Sequence, residues 1–190
     1  MIYEMMIPPF ERVDFIEMNK KQAQEYFEWY MNQIEDRITM LLTKIKMDGV
    51  NAEFDFSEES LIPLWEWYEK KISLRMLDNS EYQDRINKYP EWMKQYISEK
   101  DLSFETIMFG IDVSLYFAEV IIRNNGDKIK WGYFTKPKNR SSVNEPTLLG
   151  FKYDKDLNPR LIVENCTRKS SEEKRSTRLF DVYKVWMTFV

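Results

Sequence analysis

Residues Ser103 to Tyr133, SFETIMFGIDVSLYFAEVIIRNNGDKIKWGY, decide the fold. With successive side chains about 100° apart on a helix, Glu105, Asp112, Glu119 and Arg123 fall within a stripe roughly 40° wide. Apolar or small residues cover most of the remaining circumference, which predicts one long helix surrounded by other elements. Ser103 supplies its cap and Asn124-Asn125-Gly126 its stop. Beyond the stop, Ile129, Trp131 and Tyr133 alternate with Lys128, Lys130 and Gly132, the period of a strand with one buried face. Three carboxylates argue against a membrane span, because each charge at bilayer depth costs about 2.5–3.5 kcal/mol.

On the N-terminal side, Pro8-Pro9 denies helix to an irregular arm over residues 1–18, whose Met5, Met6, Ile7 and Phe10 are expected to lie over the core. From Asn19 as cap, Lys20 to Met47 carries Ala23, Phe27, Tyr30, Ile34, Ile38, Leu41 and Ile45 at spacings of three and four, a long amphipathic helix closed by Asp48-Gly49. Val50 to Phe56 is a short strand or an extended connector. Ser57 or Ser60 then caps a second helix, with Pro63 in its first turn and Leu61, Leu64, Trp65, Tyr68 and Ile72 on its apolar face. Trp67 points away from Trp65, so it is either covered by another element or exposed at a contact surface. The polar run over 78–88 is a candidate mobile connection, and Pro90 starts a short helix.

On the C-terminal side, Thr147 to Tyr153 predicts a second strand, antiparallel to the tryptophan strand. Asn158-Pro159 opens a helix, and a last helix over roughly Ser176 to Phe189 places Leu179, Val182, Tyr183, Trp186 and Phe189 on one side. The expected architecture is α+β and mostly helical: a long central helix packed with other helices and a small antiparallel sheet, in a single domain over 1–190. Twelve Phe, 11 Tyr and 6 Trp beside a charged fraction of 32% make this a folded composition. A single cysteine, Cys166, forms no intramolecular disulfide, and the opening residues lack a basic region followed by an apolar stretch. A cytoplasmic location is expected.

The chain is acidic, with net charge −4 unevenly placed. Residues 1–100 hold 20 acids against 13 bases, whereas residues 101–190 hold 12 against 15. Seven acids lie between Asp48 and Glu69 without a base among them. Such a surface steers a basic partner at encounter, although acids also suit a helix entrance through the helix dipole. Asp55, Glu58, Glu59, Glu66 and Trp67 are accordingly the candidate partner-binding residues.

The chain has no histidine, which excludes Ser-His-Asp and Cys-His nucleophile systems and the common histidine zinc sites. One cysteine excludes cysteine zinc clusters and dithiol exchange, and no phosphate-binding glycine motif is present. No cofactor and no metal are expected. Glu105, Asp112 and Glu119 form the alternative ligand site, but their seven-residue spacing separates them by about 10.5 Å per step, too far to share one ion. A solvated stripe with a Glu119–Arg123 pair is the expected arrangement. Asp154, Asp156 and Asn158 begin like a calcium loop, which Pro159 at the sixth position breaks. Lys128 to Arg140 interleaves bases with Trp131, Tyr133 and Phe134 in the manner of a single-strand binding surface; the strand pattern and the acidic balance favour a basic loop beside a packed strand, so nucleic acid is not the expected partner.

The order of SLIPLWEWY, FGIDVSLYFAEVIIRNN, IKWGY and PTLLGF, within Phe54 to Phe151, resembles small uncharacterised bacterial α+β domains, some associated with toxin immunity. The resemblance implies a cytoplasmic, non-catalytic protein that binds another protein, and carries over no site residue; the acidic surface points to a basic partner such as a toxin. The leading expectation is a protein-binding module of the immunity or inhibitor kind. The alternative is a carboxylate-dependent enzyme acting on a small ligand.

Overall fold

The computed structural model describes residues 3–11, 13–139 and 142–190. Its elements in order are α1 (Lys20–Met47), α2 (Leu61–Glu69), β1 (Leu74–Met76), α3 (Asn79–Ile86), α4 (Glu91–Lys94), β2 (Lys100–Leu102), α5 (Phe104–Asn125), β3 (Lys130–Gly132), β4 (Thr147–Leu149), α6 (Pro159–Glu172) and α7 (Arg178–Met187). The architecture is α+β, with the long helix α5 at its centre. Val113 to Ala118 are buried without a break, because α5 packs against α1, α2 and α6. A helix stays buried around most of its circumference only when neighbours occupy most sides, as the apolar composition of α5 required. Ser103 accepts from the Thr106 N–H at its start, and Gly126, at φ 54°, ends it.

Helix α1 runs along α5 with Ala23, Tyr26, Tyr30, Ile38, Leu41 and Ile45 buried. Asn19 and Gln22 form a reciprocal capping box at its N-terminus, which satisfies backbone donors that the helix itself cannot. Helix α2 buries Leu61, Leu64, Trp65, Trp67 and Tyr68 and ends at Glu69, so Ile72 lies beyond it. Residues 50–56 form a connector without strand structure. Gly150, at φ +111°, takes the chain out of β4, and the segment expected to continue that strand to Tyr153 turns instead through a 3₁₀ turn at Lys152–Asp154.

The described residues form two small antiparallel sheets. Strand β3 pairs with β4 in the register Trp131↔Leu148, as the alternating pattern implied. The other pair, β1 with β2, joins the two ends of an excursion that contains α3 and α4, with Leu74 opposite Leu102 and Met76 opposite Lys100. Ile72, Leu74 and Met76 alternate with Ser73 and Arg75 around β1, but Lys100-Asp101-Leu102 carries no such pattern, so the partner strand did not register in the sequence. The polar run at 78–88, read as a connection, contains α3, opened by an Asp78–Glu81 capping box.

The described part of the N-terminal arm is held by side chains of the body. Lys138 Nζ donates to the carbonyls of Ile16 and Met18, and Asn144 donates to those of Phe15 and Met18. Met1, Ile2 and Arg12 of the arm, and Arg140 of the basic loop, lie outside the described residues.

Candidate functional site

The carboxylate stripe of α5 divides into three environments. Glu105 is exposed, Glu119 is partly covered and pairs with Arg123, and Asp112 is fully buried. A wholly solvated stripe is therefore wrong at Asp112: α1 crosses over it and brings Arg37 into contact. Arg37 donates from Nε to Asp112 Oδ1 at 2.8 Å and from Nη2 to Oδ2 at 2.6 Å, a two-point contact between a planar fork and a carboxylate. The Tyr3 hydroxyl also donates to Asp112. Arg37 Nη1 donates to the Glu4 carbonyl at 2.8 Å. Burial pushes the Asp112 carboxyl upward, while Arg37 and Tyr3 oppose that push. The group is closed on all sides by its partners, which makes it a clasp between arm, α1 and α5.

The acidic window is likewise divided. Asp48 receives Lys44 at 2.5 Å, Lys71 at 2.8 Å and the indole N–H of Trp67 at 2.9 Å. Desolvation pushes its carboxyl up, but these three donors outweigh it and hold the group well below the ordinary carboxylate range. Trp67 is thus the covered alternative: it is 3% exposed and packs edge-on against Phe109. Glu69 is buried, accepting from Ser170 and from the Arg175 backbone N–H. Glu58 pairs with Lys184 at 3.2 Å. Asp55, Glu59 and Glu66 are exposed, and no ion pair with another described residue engages them.

The aromatics between Lys128 and Asn139 serve packing, whereas Lys128, Lys130, Lys136 and Lys138 are exposed. Trp131 packs edge-on against Tyr30 and Tyr133 lies against Phe27, with ring centroids 5.7 and 4.8 Å apart. Asp154, Asp156 and Asn158 do not converge on an ion: Asn158 caps α6 and Asp156 accepts from Ser142. Among the described residues no group of three potential metal ligands is found, and no helix is long and apolar enough to cross a membrane.

Two features were not anticipated. The first is a cavity of about 380 Å³ between the arm, α1, α5 and α6. Its floor is set by Gly110, where an added Cβ would come 2.6 Å from the Tyr68 hydroxyl. That hydroxyl is fixed at 3.0 Å from the Thr106 carbonyl and 3.1 Å from Thr167 Oγ1. None of Glu105, Asp112 and Glu119 lines this cavity. Its wall draws on the arm, α1, α2, β2, α5 and α6, most of them far apart in the chain, so no local motif announced it.

The second is the surface of the β1–β2 excursion. Neither α3 nor α4 buries a residue, and Trp92 and Tyr96 are 70% and 77% exposed. Leu74, Met76, Tyr89 and Phe104 are also exposed. Arg85 and Arg168, both paired with Asp101, tie the base of the excursion to α6. The exposed aromatics were visible in the sequence, but the short helix of Pro90 drew no attention to them.

No known protein family, curated protein or solved structure matches this chain. Its functional reading therefore rests on the geometry above.

Proposed function

We propose that the chain is a non-catalytic protein-binding module, an immunity or inhibitor protein of bacterial type acting in the cytoplasm on a basic partner such as a toxin. The observation that carries this reading is the exposure of Trp92 and Tyr96 on an excursion that contributes little to the core. Large aromatics concentrate binding energy at protein interfaces, and a monomer gains nothing by leaving them in water. Asp55, Glu59 and Glu66 support a basic partner, since they remain exposed after Asp48, Glu58 and Glu69 are engaged internally. The enzyme alternative loses its support, because its three carboxylates do not meet in a cavity.

The test is growth rescue. Proteins encoded beside this chain's gene are induced in a bacterial host with and without it, and any complex is isolated by size exclusion. Protection together with a stable complex, weakened by Trp92→Ala with Tyr96→Ala and by Glu59→Lys with Glu66→Lys, is the expected outcome. Absence of both protection and complex rejects the proposal.

A further inference from the structure

The cavity beside α6 has the construction of a small-molecule site. At about 380 Å³ it lies within the range that such sites occupy. Most of its wall is apolar, including Met5, Trp29, Ile107, Ile111 and Val163. The charged residues on the wall, among those described, are Arg160, Glu164 and Arg168, all on α6 and separated by one turn each.

The two arginines differ in what remains available. Arg168 uses Nε and Nη2 on Glu164 and Nη1 on Asp101. Arg160 uses Nη2 on Glu145 at 2.9 Å, and its Nε and Nη1 make no hydrogen bond to another described residue. Its guanidinium lies 5.4 Å from the centre of the Phe15 ring, and its side chain keeps 34% of its exposure. Tyr26 and Tyr30 line the cavity with it and also share with it a smaller adjoining recess. The cavity thus has an apolar body and one cationic end flanked by two phenols. The Nη1 amino group of Arg160, which makes no hydrogen bond to another described residue, offers a carboxylate a charge-assisted hydrogen bond.

We infer that this cavity binds an apolar monocarboxylate, with the hydrocarbon against Trp29, Ile107 and Val163 and the carboxylate on Arg160. Glu145 reduces the net charge at that end, so recognition depends on the hydrogen bond from Nη1 more than on long-range attraction. The exposed Ile107, 37% accessible at the mouth, gives the chain an apolar entrance. This inference is independent of the protein-binding reading, and either stands if the other fails.

Decanoate and 1-decanol, each below its aggregation limit, are the probes for isothermal titration of the full chain at neutral pH. Saturable one-to-one binding of decanoate, at least about tenfold tighter than decanol, is expected, because a hydrogen bond to a charged group contributes at that level. Arg160→Gln lowers decanoate affinity by about tenfold to a hundredfold and leaves decanol unchanged. Ile107→Trp, placed at the mouth outside the packed core, blocks both probes and remains informative if the arginine variant does not fold. Far-UV circular dichroism and thermal melting establish that each variant is native. Failure to saturate with decanoate, equal affinity for the two probes, or unchanged decanoate binding in Arg160→Gln overturns the assignment.

Discussion

Replacing Asp112 by Asn leaves the α5 backbone and side-chain volume nearly intact but removes the negative charge from the clasp. Arg37 is 6% exposed and Asp112 is fully buried, so the guanidinium then sits in the interior without a counter-charge. Breaking a buried pair in this way costs about 3–5 kcal/mol. A chain of this size loses roughly 2–4 °C of Tm per kcal/mol, so the midpoint should fall by roughly 6–20 °C. Urea unfolding followed by tryptophan fluorescence gives the free energy directly, with an unchanged m-value showing that the same surface unfolds. Arg37→Met probes the same clasp from the other side. The stranded Asp112 avoids a buried charge by taking up a proton, so its folded pKa rises further above the unfolded value near 4. The folded state then binds more protons than the unfolded state, and stability falls as pH increases through that interval. The deficit of Arg37→Met should therefore grow from pH 5 to pH 7, by at most about 2.7 kcal/mol, whereas that of Asp112→Asn should lack this titration. A loss below about 1 kcal/mol in Asp112→Asn, or a pH-independent deficit in Arg37→Met, refutes a closed and dry clasp.

Asp48 should show the opposite pH sign. Its folded carboxyl is held below the unfolded value, so its contribution is present above about pH 4 and is lost as pH falls; Asp48→Asn should be less stable at pH 7 and should flatten the loss between about pH 4 and pH 2 in urea titrations. Gly150→Ala places a Cβ 1.9 Å from the Lys128 carbonyl oxygen at φ +111°, which should lower stability by about 2–4 kcal/mol; an unchanged melting curve contradicts the described β4 exit. Cys166 is 4% exposed, and burial pushes its thiol up to about 11, so a disulfide reagent at pH 8 should label the native chain slowly and the unfolded chain at once. Fast labelling of the native chain contradicts the packing of α6.

Helix caps and helix periodicity are local, which is why they were legible. Asn19 before α1, Ser103 before α5 and Asn158 before α6 each accept from backbone N–H groups two or three residues ahead, and no distant residue is needed for that bond. The strand around Trp131 was legible from its alternation, since one face rests on Tyr30. The β1–β2 pair was not, because its six residues join across 23 intervening positions and Lys100-Asp101-Leu102 carries no apolar alternation. The same holds for the site. The acidic window was visible as a run of charge, but which acids stay in water depended on where Lys71, Lys184 and Ser170 arrive.

The long helix of residues 104–125 shows the division most clearly. Its apolar circumference determined by itself that α5 would be central, because no arrangement of this chain leaves that much apolar surface in water at acceptable cost. The sequence also determined the absence of histidine chemistry and the acidic balance. The fate of Asp112 was decided only in three dimensions: an acid on a narrow polar edge is solvated or buried according to what crosses that edge, and α1 brings Arg37 there from 75 residues away. The cavity of Arg160 and the exposed face of Trp92 are tertiary in the same sense, since each is defined by the distances between segments and not by the order of residues within one.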